Sequence, residues 1–133
     1  MKVRRGEPGL VGNMVVVWLL FLAVIAVAAI DAASIAFTTY KLSDVGTTAA
    51  REGALVFKAD HDVRKTCARV TKVVTAQEPT AKVARGGCSV EAPTGLVTVK
   101  IQKLASTVIA HRISWTEDFA SVTVTETAGP PSL

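Results

Sequence analysis

The sequence predicts an α+β protein: a long N-terminal transmembrane/amphipathic helix, then a small domain with a short helix and a three- or four-stranded antiparallel sheet. Three observations predict it. Met14 to Ile30, MVVVWLLFLAVIAVAAI, carries no charge, Gly or Pro. Beyond it, Ile35, Leu42, Val45, Ala49, Gly53 and Val56 recur at steps of three, four or seven, the period of a helix. In the second half the period becomes two, through Val97, Val99 and Ile101 and again through Ala120, Val122 and Val124, as in strands with one buried face.

Residues 1–13 read as a cytoplasmic basic leader. Lys2, Arg4 and Arg5 are opposed there by Glu7 alone, and cationic flanks stay on the cytoplasmic side. Gly6, Pro8, Gly9 and Gly12 argue against helix in the leader. Residues 14–37 read as the transmembrane helix. Met14 to Ile30 spans about 25 Å, and extension toward Phe37 reaches the roughly 30 Å of a hydrocarbon core. A helix satisfies its own backbone groups, so it tolerates lipid. Residues 38–58 read as an amphipathic extension, making one helix of roughly 70 Å. Two features mark the junction. Asp31 ends the apolar run, as a boundary residue or as a partner for a neighbouring subunit. Ala28, Ala32 and Ala36 form a small-residue stripe that lets helices approach closely; the plainer reading is that alanine favours helix.

The remaining residues, 59–128, are enough for one small extracytoplasmic α+β domain. Asp60 is expected to cap a helix from His61 to Thr75, with Val63, Cys67, Val70 and Val74 on its inner face. Arg64, Lys65, Arg69 and Lys72 form a solvated basic side. Gln77-Glu78-Pro79-Thr80 ends that helix. Cys88, Val90 and Ala92 fit a short strand, and Pro93-Thr94-Gly95 a turn. Thr107 to Trp115 is ambiguous, with a strand placing Ile113 and Trp115 on one face. Residues 129–133, beginning Gly129-Pro130-Pro131, read as a flexible tail. Short links favour antiparallel pairing.

Cys67 and Cys88 both fall on the exported side. In an oxidising compartment they pair, closing a loop that stabilises the domain by roughly 3 kcal/mol; the alternative is two half-buried free thiols. With His61 and His111 they lack metal-ligand spacing, so no metal or cofactor is expected. The net charge of +4 is divided between the leader and scattered positions, and aromatics make up 5% of the chain, which argues against nucleic-acid binding. No G-x-S-x-G, G-x-x-x-x-G-K-[ST] or G-x-G-x-x-G occurs, and no enzyme is predicted.

Taken in order, Arg4-Arg5-Gly6-Glu7-Pro8-Gly9, the apolar run, Asp31 and Ala49-Ala50-Arg51-Glu52-Gly53-Ala54 resemble the TadE/TadG-like minor pilins of tight-adherence, type IV-like pilus systems. Cys67, Gly86-Gly87-Cys88, Val97-Thr98-Val99 and Val122-Thr123-Val124 are similar in style, though more generic. The resemblance implies a membrane-anchored subunit, minor pilin or assembly protein, that partners other pilins or the pilus assembly platform in bacterial adhesion or secretion. It also implies processing between Gly9 and Leu10 by a prepilin peptidase. The chain departs from the pattern at Met14, which then holds the fifth mature position in place of the usual Glu; an uncut bitopic assembly protein is the alternative. A rival outside the family is a secreted small binding domain released by signal peptidase near Ala26-Val27-Ala28.

Overall fold

One helix, α1, carries the chain from Gly9 to Asp60 without a break. It belongs to a computed structural model that describes residues 9–106, 112–113 and 120–131. Gly9 and Gly12 lie inside α1, so the helix starts earlier than the glycines imply. Each Gly costs a helix about 1 kcal/mol, too little to stop an apolar run from extending by a turn. The second helix, α2 (Val63–Gln77), and three strands follow: β1 (Lys82–Glu91), β2 (Leu96–Leu104) and β3 (Ser121–Ala128). They confirm the α+β class.

The two halves of α1 differ in what surrounds them. From Asp31 onward one face turns inward, with Leu42, Val45, Ala49, Ala50, Ala54 and Phe57 all buried. Val56 is half-buried, and Phe57 takes the inner position expected of it. His61 then reverses the chain in a left-handed conformation, φ 50°, and donates its N–H to the Phe57 carbonyl at 2.8 Å. The cap of α2 is Asp62 rather than Asp60. Asp62 Oδ1 accepts from Arg64 N at 2.8 Å and Lys65 N at 3.2 Å, satisfying donors that the helix leaves open. Asp60 is instead the last residue of α1, because the first helix runs further than a cap at 60 allows. The inner face of α2 is correspondingly turned: Thr66, Val70, Val73 and Val74 are buried, Val63 is exposed and Cys67 half-buried.

The sheet is an antiparallel meander in the order β1-β2-β3. β1 is longer than the expected strand at Cys88, and its register jumps between Val83 and Cys88. Two glycines make that bulge possible. Gly86 has φ +66°, and a Cβ at Gly87 would stand 2.7 Å from the carbonyl oxygens of both Ala84 and Lys100. Ala92 lies in the following turn, where Gly95 N donates to Glu91 O at 2.8 Å. The possible strand at Thr107 to Trp115 lies outside the described residues, except for Arg112 in a turn and Ile113 in a bend.

Val97, Val99 and Ile101 are fully buried, with Val122 and Val124 beside them, against α1 and α2. Helix α1 approaches its neighbours closely at two glycines, β3 at Gly46 and α2 at Gly53. A Cβ at Gly46 would stand 2.9 Å from Glu126 Cγ, and one at Gly53 would stand 2.7 Å from Val70 Cγ2. Packing continues past β3: Gly129 and Pro130 are half-buried, Gly129 against Leu96 and Pro130 against Gly95. The meander returns the end of β3 to the turn that starts β2, so the first tail residues find a surface.

Candidate functional site

The least satisfied surface of the molecule is the first half of α1. From Val11 to Ile30 every described side chain is exposed except the half-buried Val27. Trp18, Leu19, Leu20, Phe21 and Leu22 each leave more than half their surface open. Large apolar patches of this kind on a folded protein mark a membrane or partner contact. The helix is long and apolar enough to cross a membrane, and none of its most apolar window is buried. Val11 to Ile30 measures about 30 Å, the thickness of a hydrocarbon core.

The expected packing residues divide between two faces. Ala28, Ala32 and Ala36 are exposed, while Asp31 is 8% exposed. At about 100° per residue, Ala32 lies a quarter-turn or more from the inward face that Asp31 begins. Asp31 thus belongs to the junction with the domain, and the alanine stripe lies outside it. Gly9 opens α1 and Leu10 follows within it; Arg4, Arg5, Gly6, Glu7 and Pro8 of the leader lie outside the described residues.

Polar contacts gather where the exposed helix meets the domain. Ser34 Oγ donates to the Ser106 carbonyl. Above it, Glu78, just after α2, is 6% exposed and joins three elements. Its Oε1 accepts from Lys103 Nζ at 2.8 Å and Thr80 Oγ1 at 2.9 Å, and Lys41 Nζ stands 2.9 Å from Oε2. The Lys103 ammonium above all, then Lys41 and the Thr80 hydroxyl, hold the carboxyl down from 4.5 to about 2 against the opposing effect of burial. Beside this cluster runs a cleft of about 430 Å³ lined by Ser34, Phe37, Thr38, Lys41, Lys103 and Leu104, among others. Further along α1, Glu126 of β3 accepts from Ser43 Oγ and, at 3.4 Å, Thr47 Oγ1.

Cys67 of α2 and Cys88 of β1 are disulfide-bonded, with Cα atoms 5.8 Å apart. His61 stacks edge-on against Phe57, centroids 5.5 Å apart; His111 lies outside the described residues. Among the described residues no three His, Cys, Asp or Glu side chains are placed to hold a metal ion.

Two parts of this arrangement escaped the sequence. Glu78 read as part of a helix-breaking stretch, since its lysines lie far away in the chain. Gly46 and Gly53 read as isolated glycines, although their spacing of two helical turns was a usable signal of close approach. The chain matches no protein-family model, no curated protein and no solved structure in the comparisons made.

Proposed function

We infer that this chain is a membrane-anchored, pilin-like subunit, a minor pilin or assembly protein of a tight-adherence or type IV-like pilus or secretion system. One observation carries the anchoring: a single unbroken helix is bare and apolar over one membrane thickness, then becomes the spine of an α+β domain. The cationic leader directs the N-terminus to the cytoplasm and the domain outward. The disulfide suits an oxidising compartment. The pilin assignment rests on the leader, apolar run, Asp31 and Ala49–Ala54 resemblance. In this reading Ala28, Ala32 and Ala36 pack against neighbouring pilin helices or the assembly platform, and the protein performs no catalysis. Carbonate extraction of native membranes tests the anchor: the protein stays in the pellet, whereas release to the supernatant overturns the reading.

One observation favours the rival. Among the described residues Asp31 is the first buried position of α1, so signal-peptidase cleavage after Ala28 would leave the buried face of α1 attached to a secreted binding module. The same extraction separates the two.

A further inference from the structure

We propose that the cleft between α1 and the C-terminal end of β2 binds the headgroup of an anionic phospholipid. The proposal rests on the anchored reading above. Three observations support it. The cleft opens beside the helix just past the bare span: Ser34 and Phe37 stand about 6 and about 10 Å beyond Ile30 along the axis. Each headgroup layer is about 5–8 Å deep, so the lower rim lies at headgroup depth.

The lining is amphipathic in the sense an interface requires. Phe37 and Leu104 are 69% and 64% exposed, two large apolar side chains open on one cleft. Packing against the described residues does not account for either. Beside them stand Lys41 and Lys103, and exposed Lys82 lines the adjoining hollow with Leu104 and Lys103.

The charge is complementary to a phosphate. Among the described residues that line this cleft the charged ones are Lys41 and Lys103, which share the carboxylate of Glu78; Lys82 adds a further cation beside it. The Lys41 side chain is 50% exposed, so its ammonium, paired with Glu78 at 2.9 Å, also meets solvent, where a phosphate can share it at the end of a long flexible stem. Basic residues at an anionic surface each strengthen attachment roughly five-fold.

The test uses the full chain in vesicles of equal parts phosphatidylcholine and phosphatidylglycerol, with Phe37→p-benzoylphenylalanine as a photo-crosslinker. Phe37 is 69% exposed, so the replacement disturbs little packing among the described residues. Mass spectrometry then counts lipid adducts at position 37. The expected result is a several-fold excess of phosphatidylglycerol adducts, reduced roughly five-fold by Lys41→Gln and lost in high salt. Lys41→Gln leaves Glu78 its bonds to Lys103 and Thr80 but removes the ion pair at Oε2, so a melt that stays cooperative with a modest fall in its midpoint verifies the fold. Lys82→Gln, with no partner to lose among the described contacts, is the second variant and lowers the excess likewise. Adducts in proportion to the two lipids overturn the proposal while leaving the anchor in place. Competition by free inorganic phosphate makes the cleft a soluble-anion site and also overturns it. Failure of the chain to insert overturns both readings.

Discussion

Gly53 of α1 and Val70 of α2 meet so closely that a methyl group at position 53 would stand 2.7 Å from Val70 Cγ2. The same methyl would also crowd Val97 Cγ1 at 3.3 Å and Thr66 Cγ2 at 3.4 Å, all in buried residues. The glycine is a packing device at a level where both α2 and the sheet press on α1.

Gly53→Ala therefore sets two effects against each other. Helix propensity improves by about 1 kcal/mol, while overpacking a filled core costs about 1–3 kcal/mol. A net loss is expected, measured by denaturant unfolding of the detergent-solubilised chain. Gly46→Ala makes the comparison: its closest neighbour is Glu126 Cγ at 2.9 Å, on a half-buried side chain that can shift at some cost to its bonds with Ser43 and Thr47. It should change stability by less than Gly53→Ala.

Acid should loosen the junction between α1, α2 and β2. Glu78 has its carboxyl held from 4.5 down to about 2, so its ion pairs stabilise the fold fully above the unfolded value. That contribution is lost as pH falls from 4.5 toward 2. The shift sets a ceiling of about 3 kcal/mol, and the half-exposed Lys41 brings the real figure lower. Melting temperatures of the wild type should fall across that window, while those of Glu78→Gln, already lower at neutral pH, should fall less.

The Cys67–Cys88 bond ties α2 to β1 over a sequence separation of 21. Replacing both cysteines with serine should cost about 3 kcal/mol in the chain-entropy account. Reduction of the wild type should give the same loss, and a chain whose melt ignores reductant would contradict it.

Ala32→Leu separates assembly from folding. Ala32 is exposed, so leucine there should leave the melt and membrane insertion unchanged. If the alanine stripe packs against neighbouring subunits, crosslinking yield should fall; unchanged crosslinking would remove that face from the account.

Much of this architecture was legible in residues close together in sequence. The apolar run and the steps from Ile35 to Gly53 foretold one continuous helix, because a helix repeats its face every turn. Val97, Val99 and Ile101 foretold β2, because alternation is a local property. What stayed hidden was set by partners far apart. Thr66 and Val73 face inward on α2 because of where Gly53 and the sheet stand, and Glu78 is buried because Lys41 and Lys103 arrive from two other elements. The cap shifted from Asp60 to Asp62 for a similar reason: two aspartates flank one histidine, and the length of α1 decides between them. The bulge at Gly86 and Gly87 depends on the Lys100 carbonyl across the sheet, and reads as a simple turn without it. The candidate site divides the same way: the bare span was plain in composition, while the cleft beside it needed the fold.

The most direct test of the central claim, that α1 is retained as a membrane anchor, is the N-terminus and intact mass of the mature protein recovered from native membranes. The account predicts a start at Leu10 after prepilin-peptidase processing, or at Met1 for an uncut assembly protein, with Val11 to Ile30 present in either case. A start near Ala29, with the protein in the soluble fraction, would contradict it.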